Sequence, residues 1–189
     1  MSAYPFVYHQ TPAVERSRLT VFFRFFMVIP HLIWSMLYGI AAELAVVVAW
    51  FAILFTGRYP QSIYDFAAGY LRYATRLLGY MLLTTDEYPP FDGGEHPDYP
   101  VTVRVPPAQD SYSRLTTGFR FILLIPVAVL QYVFILWAEC VSIAVWFVAM
   151  FTGKTDPGLV DAERFPLAYV ARSYAYVFLM SDAWPPLDD

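Results

Sequence analysis

A block of 75 residues, Arg18–Asp92, recurs 96 positions later as Arg114–Asp188, without a gap and with about a third of its positions identical. Arg18-Leu19-Thr20 returns as Arg114-Leu115-Thr116, Phe23-Arg24-Phe25 as Phe119-Arg120-Phe121, Ile29-Pro30 as Ile125-Pro126, and Ala42-Glu43 as Ala138-Glu139. From Phe25 to Gly57, and again from Phe121 to Gly153, there is no Lys, Arg or Asp and a single Glu. Self-similarity at a fixed period marks two copies of one structural unit. Each unit must find a place for an apolar run too long for an ordinary core helix.

Composition says where such runs can go. The chain is 58% hydrophobic, 19% aromatic and 15% charged. Apolar runs beyond about 18 residues favour a membrane over a soluble core. Leu19–Thr56 and Leu115–Thr152 pass that length twice over, so a bilayer is the expected partner. The net charge of −4 comes with no basic stretch, which disfavours nucleic acid. Cys140 is the single cysteine, so no intrachain disulfide is possible, and it is expected to be a small buried hydrophobe. The Met1-Ser2-Ala3-Tyr4 start lacks a charged n-region before a short apolar core, and no lipidation motif is present. The absence of Asn and the single Lys, beside abundant Ala, Arg and Pro, read as a bacterial gene of high GC content.

A single straight helix over Leu19–Thr56 would be roughly 57 Å long, about twice the hydrocarbon layer. A fold-back near Tyr38-Gly39, and near Phe134-Ile135 in the second copy, gives two arms of about 27 Å each. Arg16, Arg18 and Arg24 precede the first run and Arg58 follows it; Arg114 and Arg120 precede the second and Lys154 follows it. Basic flanks collect on the cytoplasmic side, which favours the hairpin over one crossing that breaks at Pro30. The expected fold is thus an all-α integral membrane protein of two tandem repeats, each a short transmembrane hairpin plus an interfacial amphipathic helix. Repeat 1 takes residues 1–92, with a strand-like segment 4–8, a hairpin 19–56 and an interfacial helix 62–84. A linker, 93–98, leads to repeat 2 at 99–189, with a strand 99–105, a hairpin 115–152 and an interfacial helix 163–180. The strand 99–105 alternates Val with Thr and Arg, and could pair with its weaker counterpart as a surface ribbon. Pro12, and Pro106-Pro107, stop the extended segments.

The third element of each repeat begins with Ser62-Ile63-Tyr64-Asp65, the spacing of a helix N-terminal cap. On a helical wheel Asp65, Tyr73, Arg76 and Tyr80 share an arc of about 80°, and the same types recur as Asp161, Tyr169, Arg172 and Tyr176. Arg72 and Arg76 mid-helix suit the headgroup plane better than a span. Arg72, Arg76, Arg172 and the tyrosines Tyr73, Tyr80, Tyr169 and Tyr176 are therefore candidate lipid contacts, with anionic lipid as a candidate partner.

The run Trp50-Phe51-Ala52-Ile53-Leu54-Phe55-Thr56-Gly57-Arg58-Tyr59-Pro60, with Ile29-Pro30-His31 upstream and Tyr88-Pro89-Pro90-Phe91 downstream, resembles a bacterial membrane family known as domain of unknown function 4389. The second copy keeps Trp146, Phe147, Phe151, Thr152 and Gly153 but continues with Lys154-Thr155-Asp156, and has Val127 in place of the histidine. The resemblance covers nearly the whole chain. It implies a bacterial membrane setting and a duplicated unit, with no activity, substrate or catalytic residue attached.

Chemistry-bearing residues are few. Glu43 and Glu139 sit at identical positions inside the apolar runs, and an intramembrane carboxylate suggests a proton or cation relay. In a hairpin they fall one turn past the fold-back, where they would be solvated tip residues. His9, His31 and His96 are far apart in sequence and lack metal-site spacing, so no metal and no cofactor is expected. No nucleophile elbow or phosphate loop is present. The expected function is a non-enzymatic scaffold or accessory subunit of a larger bacterial membrane complex, partnered by lipid and by other membrane subunits or copies of itself. The alternative is a small transporter or channel component using Glu43 and Glu139. The expected location is the bacterial plasma membrane, multi-pass, with both termini cytoplasmic.

Overall fold

The computed structural model describes residues 4–11 and 15–187. Pro12, the Met1-Ser2-Ala3 start and Asp188 lie outside the described residues. The elements run β1 (Val7–Gln10), α1 (Arg18–Thr56), α2 (Gln61–Met81), β2 (Val101–Arg104), α3 (Arg114–Gly118), α4 (Arg120–Thr152), α5 (Pro157–Asp161) and α6 (Arg164–Val177).

The hairpin expected over 19–56 is not formed: α1 is one continuous helix of 39 residues, with Pro30 inside it. The second run, 115–152, is likewise no hairpin; α3 gives way at Phe119 to the 33-residue α4, which continues through Phe134-Ile135. Gly39 accounts for the difference. It is helical, and a Cβ there would lie 2.8 Å from the Tyr70 hydroxyl oxygen, so the glycine admits α2 rather than turning the chain. The true ends are capped. Ser17 and Ser113 accept hydrogen bonds from Thr20 and Thr116 N–H at 3.3 and 3.2 Å, and each run stops at a left-handed glycine, Gly57 or Gly153, both at φ 72°.

α2 returns along the first half of α1, with Tyr70 and Phe66 against Tyr38, Tyr73 against His31 and Tyr80 against Arg24. α6 does the same on α4, where Phe165 and Tyr169 meet Phe134. The cap expected from Ser62 is absent, because Pro60 takes the N-cap position and Asp65 accepts instead from the Gln61 side chain at 2.8 Å. In the second copy Asp156 caps the short α5, and α6 starts afresh at Arg164.

β1 and β2 pair antiparallel, Val7 opposite Arg104 and Tyr8 opposite Val103. Tyr4-Pro5 corresponds to Tyr99-Pro100, one residue out of step with the 96-residue repeat, so the buried Tyr8 and Val103 are counterparts as well as partners, and a pseudo-twofold axis passes through their pair. The long helices obey the same axis. Arg16 N–H donates to the Gly153 carbonyl at 3.0 Å, and its repeat counterpart Tyr112 donates to Gly57 at 2.9 Å. The start of each long run therefore sits against the end of the other, and α1 and α4 run antiparallel.

Three layers result. The long helices form one outer layer, α2 and α6 the middle, and the ribbon the other outer layer. β2 packs on α2, where a Cβ at Gly79 would meet both Val101 methyls at 2.9 Å, while β1 crosses to α6 of the other repeat. Small residues let these layers close: Ala67, Ala68 and Gly69 on α2, and Ala168, Ala171 and Ala175 on α6, are all buried. The core between them holds Phe6, Tyr8, Tyr64, Leu71, Val101, Leu167 and Phe178.

The long helices bury little of themselves. On α1 the buried positions Val21, Arg24, Val28, His31, Gly39, Ala42, Ala49 and Ile53 fall within an arc of about 80° at 100° per residue. The exposed large apolar residues, from Leu19 and Phe22 through Ile33 and Ile40 to Phe51 and Phe55, fill about 200° on the opposite side. α1 and α4 are each long and apolar enough to cross a membrane.

Candidate functional site

Polar chemistry gathers where the long helices begin. Arg24 is buried, stacks over the Tyr80 ring at 4.3 Å, and donates to the carbonyls of Tyr80 and Thr85 at 2.5 and 2.9 Å. Its second nitrogen reaches Asp86 at 2.5 Å. Arg120 repeats this over Tyr176 at 3.8 Å, with the Ser181 carbonyl at 3.0 Å and Asp182 at 3.5 Å. Each aspartate also accepts the backbone N–H just before its long helix, Ser17 at 2.9 Å or Ser113 at 2.7 Å. A guanidinium buried beside an apolar helix is tolerable only with such partners.

The two ends then diverge. Arg16 donates to Thr155, to the Thr84 carbonyl and to Asp86, all at 3.0 to 3.1 Å, and the Thr84 hydroxyl lies 3.0 Å from the Glu163 carboxylate. The counterparts at the other end are Tyr112, Tyr59, Met180 and Ala67. One end of the pseudo-symmetric core is an ionic cluster; the other is aromatic, with Tyr59 packed on Tyr64 and Tyr112. Glu163 is fully buried and one of its oxygens lacks a hydrogen-bond partner. Burial lifts its carboxyl to about 8, against the opposing pull of Thr84, Arg16 and Arg24.

On the ribbon side a cavity of about 500 Å³ is walled by His9, Arg72, Arg76, Glu95, His96 and Arg104. Arg72 pairs with Glu95 at 2.8 Å. Arg76 donates to the Gly94 carbonyl at 2.7 Å and to the Asp92 carbonyl. Burial lowers its pKa, with Asp92 opposing. His96 sits 2.8 Å from Asp92, and that contact, with the Gly94 N–H, holds the Asp92 carboxyl low. His9 and His96, unrelated in the sequence, are brought to one wall because β1 pairs with β2 directly after the linker. Only strand register could have revealed that. Among the described residues no cluster of His, Cys, Asp and Glu could hold a metal ion.

The expected lipid contacts are mostly interior. Tyr73, Tyr80, Tyr169 and Tyr176 are buried, and so are Arg76 and Arg172; Arg72 is half-buried. The reason is that the shared arc faces protein: Tyr73 meets His31, Arg76 meets the linker, and Tyr80 meets Arg24. His31 is wholly buried, 2.9 Å from the Tyr73 hydroxyl and stacked on Phe91 at 4.0 Å, a role Val127 cannot share. Cys140, expected to be buried, is exposed on the outer side of α4.

Glu43 and Glu139 are exposed, at the edge of the apolar arc rather than at a helical tip. The signature residues around each glycine form a helix stop. Thr56 Oγ1 donates to the Ala52 carbonyl at 2.7 Å and accepts from Arg58 N–H at 3.1 Å; Thr152 does the same with Val148 and Lys154. Trp50 donates to the Thr117 carbonyl at 2.9 Å, tying α1 to α3, while Phe51, Phe55, Phe147 and Phe151 point outward and Trp146 is half-buried.

Compared with known proteins, the chain matches one family model twice, over residues 18–92 and 114–187; its description is domain of unknown function, DUF4389. No curated protein and no solved structure matches it.

Proposed function

We propose that this chain, which belongs to the DUF4389 family and carries its unit in two tandem copies, is a non-enzymatic bacterial membrane protein serving as a scaffold or accessory subunit. One observation carries the reading: the molecule has two unlike faces. The outer sides of α1 and α4 present an almost unbroken apolar surface, including Phe25 at 73% and Phe55 at 77% exposure. The opposite face holds the ribbon with exposed His9 and Arg104, and the linker with Glu95 and Asp98. An apolar face of that extent marks an interaction site rather than ordinary surface. Lipid on that side leaves the polar face free for other subunits.

Co-purification from native membranes in mild detergent, with identification of whatever accompanies the chain, tests the scaffold reading. A stoichiometric membrane partner is expected, and a protein that always emerges alone as a monomer refutes it. Transport through Glu43 and Glu139 finds less support, since both carboxylates are exposed at the flank of the apolar face and neither lines the ribbon-side cavity. Glu43→Gln with Glu139→Gln is expected to leave proton flux in proteoliposomes unchanged.

A further inference from the structure

The two long helices have a geometry that a membrane-spanning pair cannot use. α1 is about 58 Å long at 1.5 Å per residue, against a hydrocarbon layer of about 30 Å. Its exposed apolar residues run from the first turn, at Leu19 and Phe22, to the last, at Phe55. A crossing helix would leave one or both of these ends in water.

The pseudo-twofold axis decides the matter. It relates α1 to an antiparallel α4, and it passes through the β1–β2 ribbon at the Tyr8–Val103 pair. The ribbon therefore sits over the midpoints of the long helices. Were those helices perpendicular to the membrane, the axis would lie in the membrane plane and the ribbon at mid-depth. His9, Arg104 and the linker carboxylates would then face hydrocarbon, where charged groups are strongly disfavoured. With the axis along the membrane normal instead, the ribbon stands in water and the outer arcs of both long helices face down. Glu43, close to the edge of its arc, then reaches the headgroup level at its helix's flank, and Glu139 does so by symmetry.

We propose that α1 and α4 recline in the plane of one leaflet, bedding their outer apolar arcs in lipid while the pseudo-twofold axis stands along the membrane normal. This rests on the membrane reading above. The occupant of the apolar face is the acyl-chain region of a single leaflet, and the protein is monotopic.

Two measurements on the full-length chain test this, beginning with flotation on phosphatidylethanolamine–phosphatidylglycerol vesicles. Failure to float, with a dimer in solution, would put a second copy on the apolar face and refute lipid on that face altogether. For the floating protein, oriented circular dichroism of the unaltered chain in aligned multilayers of the same lipids reads helix tilt directly. The helix band polarised along the axis is expected at near full strength, as for helices lying flat. Its loss would mean upright helices and would overturn the proposal while leaving the membrane reading intact.

Site-directed spin labelling supplies the second arm. In a Cys140→Ala background, Phe22→Cys, Leu44→Cys and Phe55→Cys carry nitroxides on one outer arc. Their depth, read from the ratio of oxygen to water-soluble relaxant collision, is expected to be the same at all three, and a label at Thr102→Cys should be in water. A depth profile rising to a maximum at position 44 and falling towards both ends refutes the reclined placement. Cys140 in the unaltered chain lies on the equivalent arc of α4 and reports the same depth without any substitution that could disturb folding.

Discussion

Asp86 and Asp182 are counterparts in the two repeats, yet their loads differ. Asp86 takes Arg16 at 3.1 Å and Arg24 at 2.5 Å, whereas Asp182, among the described residues, pairs with Arg120 alone at 3.5 Å. Both also accept a helix-start N–H, so that contribution cancels in a comparison. Replacing Asp86 by Ala leaves two buried guanidiniums, with side-chain exposures of 0% and 6%, hydrogen-bonded to carbonyls but without a counter-ion. Removing one partner of a buried pair costs about 3–5 kcal/mol. We expect about 4 kcal/mol for Asp86→Ala and about 2 kcal/mol for Asp182→Ala, because Arg24 and Arg120 each keep a tyrosine ring and a carbonyl, and only Asp86 carries a second guanidinium, Arg16. For a chain of this length, each kcal/mol moves the melting temperature by about 2–4 °C, so the two variants should differ by about 4–8 °C in detergent or lipid nanodiscs. Arg16→Gln supplies the cross-check, since in that background Asp86→Ala should fall to the cost of Asp182→Ala. Equal melting temperatures for the two alanine variants would refute the reasoning. A cost of Asp86→Ala left unchanged by Arg16→Gln would show that Arg16 draws nothing from this carboxylate.

Glu163 should make stability depend on pH. Its folded pKa of about 8 lies above the ordinary carboxyl value, so its stabilising effect is full below about pH 4.5 and is lost as pH rises through about 8. Denaturation midpoints should fall across that window, and Glu163→Gln should flatten the fall; an unaltered slope would show that Glu163 is already ionised. Gly57→Ala places a β-carbon at φ 72°, 3.4 Å from the Arg114 guanidinium, and should cost about 1–2 kcal/mol, read as a loss of about 2–8 °C in melting temperature. Gly79→Val drives a branched side chain into Val101 and should cost about 1–3 kcal/mol, with hydrogen exchange speeding up first in β2.

The duplication and the second extended segment are legible because each rests on a local pattern: gapless recurrence for one, Val-Thr-Val-Arg alternation for the other. β1 begins three residues later than expected, since Tyr4-Pro5-Phe6 lacks that alternation and only pairing with β2 fixes its start. The hairpin is absent for a physical reason. Charge bias at the ends of a run reports on topology only if the run crosses, and nothing at Tyr38-Gly39 stops a helix; the stop chemistry was at Thr56-Gly57 all along. Of the Asp65–Tyr73–Arg76–Tyr80 arc, the last three face protein rather than lipid, while Asp65 at the start of α2 is exposed. Arg with flanking Tyr suits a headgroup layer, and it suits equally a buried shelf of carbonyls such as those of Asp92 and Gly94. Glu163 is not legible in the repeat pattern because its counterpart is Ala67.

The ribbon has a meaning for how such a chain arises. β1 of the first unit lies on α6 of the second, and β2 of the second lies on α2 of the first, so neither unit completes its own middle layer. A free single unit would carry an open strand edge and an uncovered helix, the two features that drive one copy to clasp another about a twofold axis. The present chain is that clasped pair with a tether: the linker at 93–98 holds the halves at high effective concentration and makes the encounter intramolecular. Once tethered, the halves no longer need to be identical. That freedom is visible in the core, where Arg16, Thr84, Thr155 and Glu163 occupy one end and Tyr112, Met180, Tyr59 and Ala67 the other. A self-matching dimer must repeat every mutation at both ends, so an ionic cluster at one end alone is open only to a fused pair.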